Sequence, residues 1–128
     1  MNYYFSKKIN MDFEQAIQNV TEALKKEGLG VLSEINVQQK LKEKLDVEFR
    51  KYRILGACSP SHALKALEQE DKIGTLLPCS VILQELGDNL VEVAAVDPVA
   101  SMMAVENQGL TGIAIEIQDK LKRVIASL

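Results

Sequence analysis

The chain has 128 residues, with 15 basic and 18 acidic side chains and a net charge of −3. That length closes one hydrophobic core without help from metal or disulfide, and an apolar fraction of 47% excludes a disordered chain. No basic block stands out, so we expect no nucleic-acid partner and no anionic membrane surface, and the apolar runs are too short to span a bilayer. The first residues, Met1-Asn2-Tyr3-Tyr4-Phe5-Ser6-Lys7-Lys8, lack the order of a secretory signal, which puts basic residues ahead of a longer apolar run. We therefore expect a cytoplasmic protein whose two cysteines are reduced.

In chain order, Tyr3 to Ile9 reads as a first strand. Asn10 is expected to cap a helix, with Asp12 and Glu14 at its positive end. Phe13, Ile17, Val20 and Leu24 recur at helical spacing, and Gly28 is a natural left-handed stop. Val31 to Ile35 is a second strand. Asn36 can cap a short helix with Gln39 in the capping-box position, and Val37, Leu41 and Leu45 share one face of it. Val47 to Ala57 reads as a strand at an edge or with one face partly covered, because Lys51 and Arg53 share a face with Phe49 and Leu55.

Ser59-Pro60 is the strongest boundary in the chain. A serine cap accepts from orphan amides, and proline at the first helical position has no amide to leave unpaired. The helix it opens should run to about Glu70 and bury Ala63, Leu64, Ala66 and Leu67. Asp71 to Leu77 is a connection. Ser80 to Leu86 and Leu90 to Val96 form a hairpin around Gly87-Asp88-Asn89. Asp97-Pro98 turns the chain into a short helix over Val99 to Val105. Asn107 caps the terminal helix, which starts as late as Thr111 and carries an apolar stripe from Leu110 to Leu128. The order β-α-β-α-β-α-β-β-α predicts an α+β single domain spanning 1–128. It is a two-layer sandwich with helices on a mostly antiparallel sheet of about five strands.

The residues able to carry unusual chemistry crowd into 55–98. Both cysteines, the single histidine and all three prolines lie there. The blocks Leu55-Gly56-Ala57-Cys58-Ser59-Pro60 with Ala63, Ala66-Leu67, Gly74-Thr75-Leu76-Leu77-Pro78-Cys79 and Asp97-Pro98 resemble the domain-of-unknown-function family 302 over essentially the whole chain. Ser59 and Ser80 depart from the asparagines expected after each cysteine, and Gln108 from a helix-opening proline. The resemblance implies a compact α/β sandwich and a homodimer. It carries no activity and no catalytic residues.

Cys58, Ser59, His62, Cys79 and Asp97 are the candidate ligand or thiol site. A helix beginning at Ser59 favours an anion and would lower the pKa of a thiol beside it. Cys79 can lie beside Cys58, and Met102 or Met103 would add thioethers, a set able to hold Cu(I) or Zn²⁺ or to pass sulfur between thiols. Packing weighs more, because free cysteine behaves as a small hydrophobe and both stand among Ala, Leu and Val. His62 is expected to face solvent or a backbone carbonyl. Zinc spacing is absent, with no Cys-x-x-Cys and no His-x-x-x-His, so no metal site is assigned.

The acids read as structural. Glu68, Glu70 and Asp71 form a solvated helix end, Glu85 and Glu92 flank the hairpin, and Asp97 before proline is a turn opener. Gly28-Leu29-Gly30 lacks the third glycine of a dinucleotide loop. No Ser-His-Asp arrangement is evident and no cofactor is named by the residues. The leading reading is a homodimeric, non-catalytic protein that binds a small molecule or a partner, dimerising through the terminal helix or the strand at Val47 to Ala57. The alternative is a thiol enzyme or a sulfur or soft-metal handler using Cys58 and Cys79.

Overall fold

The computed structural model describes residues 2–128. Five strands, β1 (Tyr4–Ile9), β2 (Gly30–Asn36), β3 (Tyr52–Cys58), β4 (Cys79–Gly87) and β5 (Leu90–Val96), make one sheet in the order β1-β5-β4-β3-β2. Every neighbouring pair is antiparallel. The helices are α1 (Phe13–Lys26), α2 (Val37–Leu45), α3 (Pro60–Gln69), α4 (Pro98–Ser101) and α5 (Thr111–Ser127). The α+β sandwich expected from the element order is the observed architecture, and the sheet is antiparallel throughout.

Register explains the burial. Phe5, Ala95, Val81 and Leu55 stand in one row across four strands, with Lys7, Val93, Leu83 and Arg53 in the next. These rows face α1 and α5, whose Phe13, Val20, Leu24, Leu121 and Val124 are buried against them. Side chains alternate across a strand, so every second residue belongs to this core and the rest point the other way. Arg53 disturbs the alternation read from sequence, and its neighbours show why it is tolerated. Its guanidinium pairs with Glu14 on α1 and Glu34 on β2, and stands 5.8 Å from the centre of the Phe13 ring.

Several local expectations change. Asp12, not Asn10, caps α1, its Oδ2 accepting from the Gln15 amide at 3.3 Å. Asn36 does cap α2, accepting from Gln39 at 3.0 Å, yet α2 buries no residue. The strand expected from Val47 begins only at Tyr52. Asp46, in the left-handed region at φ 54°, ends α2, and residues 47–51 lead the chain back to the sheet. β3 is interior, between β4 and β2, so Val47 to Ala57 is no edge and offers no strand for dimer pairing. Leu64 and Leu67 are exposed, and only Ala66 of α3 is buried, packed in a small cluster with Ile73 and Leu110.

The hairpin stands as expected, with Asn89 at φ 54° in its turn. Glu92 faces Gln84, whereas Glu85 faces Val91, so the two acids are not paired. The helix after Asp97-Pro98 stops at Ser101. Asn107 caps a 3-10 turn at Gln108–Leu110, accepting from Gly109 at 2.9 Å, and α5 follows at Thr111. The apolar stripe of α5 is spent on the sheet, which removes it as a dimer surface.

Candidate functional site

The end of the sheet where β3 meets α3 and β4 begins forms one apolar pocket. Ala57 and Cys79 are cross-strand partners, which brings Cys58 and Cys79 onto adjoining positions. Cys58, Ser59, His62 and Ala63 line the pocket from one side. Leu77 and Cys79 line it from another, and Pro98, Met102 and residues of α5 close it. Four of the five candidate residues therefore converge. The fifth, Asp97, does not.

Asp97 serves α4 instead. Its Oδ1 accepts from the Val99 amide at 3.0 Å, from the Ala100 amide at 3.5 Å and from Gln118 Nε2 at 3.0 Å. This cap fixes Pro98 and Met102 as a wall of the pocket and ties them to α5. Asp97→Ala should cost about 1–2 kcal/mol, read from urea denaturation, with most of the loss in the missing cap.

The polar groups at the pocket mouth form one line. Ser59 Oγ lies 2.7 Å from His62 Nδ1, and His62 Nε2 lies 2.6 Å from Glu116 Oε2 on α5. An ionised carboxylate only accepts, so Nε2 carries a proton, and in the neutral ring Nδ1 accepts from the serine hydroxyl. Two expectations are corrected here. The Ser59 side chain makes no cap bond to a helix amide, because the imidazole competes for it. His62 neither faces solvent nor meets a carbonyl, since its two ring nitrogens meet Ser59 and Glu116.

Glu116 was missed from sequence. It stands 54 residues beyond His62 on the outward side of an amphipathic helix, and no spacing rule links the two.

This serine–histidine–glutamate line resembles a catalytic relay in its chemistry but not in its access. Ser59 is only 8% exposed. The void inside the pocket is about 30 Å³, about a tenth of the ~300 Å³ of a small ligand pocket.

The thiols are equally restrained. Burial pushes the Cys58 thiol up from its ordinary value. Cys79 is pushed up to about 11, by burial first and then by the neighbouring charge of Cys58. The helix start was expected to lower these values. Pro60 supplies no amide at the first helical position, and the apolar walls disfavour the thiolate more than the helix field favours it. Among the described residues no three of His, Cys, Asp and Glu converge as a metal-binding group.

A family model described as Domain of unknown function DUF302 matches residues 5–128. The chain belongs to this family. The crystal structure of uncharacterized conserved protein DUF302 from Bacillus stearothermophilus is similar, at 24% identity, 98% coverage of both chains and a TM-score of 0.89. At that identity the likeness speaks for the fold, and the antiparallel five-stranded α+β sheet of this DUF302 chain is shared. No curated protein matches. No helix among the described residues is long and apolar enough to cross a membrane.

Proposed function

We propose that this DUF302 chain is a non-catalytic binding or accessory protein that acts as a homodimer in the cytoplasm. One observation carries the reading. The residues best equipped for chemistry surround a void of about 30 Å³, with burial pushing both thiols above their ordinary value. Catalysis needs a reacting atom within reach of an activated group, and the raised thiols and the small void favour binding over that chemistry. A small apolar ligand enters only by displacing a flexible wall residue, and Met102, unbranched and adaptable, moves most cheaply.

The second reading, a thiol enzyme or soft-metal handler, is favoured by one fact: Cys58, Cys79 and Met102 line the same pocket. A thiol reagent separates the two. Native protein at neutral pH should react at Cys79 about a hundredfold more slowly than the unfolded chain, matching a thiolate population lowered by its raised pKa. Rapid labelling of either cysteine at pH 7, or a soft metal retained by the native chain but lost in Cys79→Ala, would overturn the non-catalytic reading.

A further inference from the structure

The sheet has a second face, and no helix buries it. By register its middle row is Ser6, Ala94, Ile82, Ile54 and Ile35, one residue from each of the five strands. Every member is at least partly exposed, whereas the rows on the opposite face are largely buried. The row below it is Lys8, Glu92, Gln84 and Tyr52. On the other side stand Tyr4 with Val96, and Ser80 with Gly56 and Ser33. An apolar row over four of the five strands, Ala94, Ile82, Ile54 and Ile35, is a feature that favours a covering surface, because its solvation is unfavourable in proportion to its area.

We infer that this open face is covered by the same face of a second copy of the chain, with the two-fold axis near Ile82. The inference rests on the homodimer reading above and names its surface. Charge supports self-association. The three rows carry one lysine and one glutamate, the rim guanidinium of Arg50 is held by Gln84, and the middle row has no charge, so stacking on a copy brings no like charges together at the axis. A basic or acidic partner finds nothing to match.

Size permits it at the lower end of specific interfaces. Five strands about 4.8 Å apart and three outward rows about 6.8 Å apart give a footprint of roughly 480 Å². Two such faces bury about 1,000 Å² in all, the lower bound for a specific interface. The face is hollowed by about 400 Å³ over Ile82 and Ala94, between Tyr3 and Tyr4 on one rim and Tyr52 on the other. Tyr3 and Tyr4 are 68% and 38% exposed, and they supply the bulk that fills the hollow of the facing copy. Their hydroxyls then have Glu92 and Gln84 as polar partners.

Sedimentation velocity of the full chain from about 1 to 100 μM tests this. The wild-type chain should run at twice its 14.2 kDa. Ile82→Arg places two like charges at the axis and should raise the dimer dissociation constant at least about a hundredfold, with an unchanged circular dichroism spectrum. Should Ile82→Arg fail to fold, Ala94→Glu, at the neighbouring position of the same row, decides in its place. A wild-type monomer throughout the range overturns both this inference and the homodimer reading. A wild-type dimer that survives the folded variant overturns the surface alone.

Discussion

Gly56→Ala is expected to destabilise the protein by about 3 kcal/mol, lowering the melting temperature by roughly 10 °C. A Cβ at this position would lie 2.6 Å from Pro78 Cγ and 2.3 Å from Ser33 Oγ. The serine side chain can rotate away. The proline ring cannot, being fixed to the backbone just before Cys79 at the start of β4. The strain must therefore enter the β3–β4 pairing, one residue from the Ala57–Cys79 partnership that holds the pocket together. Thermal unfolding followed by circular dichroism measures the loss. Ser33→Ala in the same chain should restore only a minor part of it. Gly87→Ala, where a Cβ meets nothing within 4 Å, should change stability by less than about 1 kcal/mol. A Gly56→Ala variant as stable as the wild type would mean that the close approach of Pro78 is not enforced.

The second large effect is alkaline. Cys79 holds its proton in the folded state up to about 11, while an unfolded chain releases it near the ordinary 9.0. Between these values the native state binds more protons than the unfolded state, so stability falls as pH rises. Two units of separation correspond to about 2–3 kcal/mol, complete once the pH exceeds the folded value. Below pH 9 this contribution is present in full. Urea midpoints measured from pH 7 to 11 for wild type and Cys79→Ala isolate it from lysines and tyrosines that titrate in both. The variant should start lower by about 1 kcal/mol, from the lost sulfur contacts, and then converge on or cross the wild-type curve. Curves that stay parallel to pH 11 would show that the thiol ionises freely in the fold.

Both results concern residues whose chemical type was visible in the sequence but whose company was not. Cys58, Ser59, His62 and Cys79 could be nominated because sulfur, imidazole and proline crowd one segment. That four of them meet in one pocket follows from the Ala57–Cys79 register, a pairing between residues 22 positions apart. Asp97 reads as a turn opener in the sequence and is one in the fold. Glu116 carried no signal, because a hydrogen-bond partner contributed by a distant helix leaves no local pattern.

The same division runs through the scaffold. Gly28 at φ 77°, the Asp88–Asn89 turn and the Ser59-Pro60 helix start are dictated by local conformational preference, and they appear where the residues require them. Val47 to Phe49 had the composition of a strand but form none, since strand formation depends on a neighbour to pair with.

Local chemistry in the chain thus determined the identity and order of the elements, and with them the α+β class, because caps, turns and periodicity act over a few residues. Only the tertiary structure decided which sheet face lies bare, how far the thiols are removed from water and where the imidazole finds its acid. Those properties depend on what long-range packing brings alongside each group, and burial is a property of the assembled neighbours rather than of the residue itself.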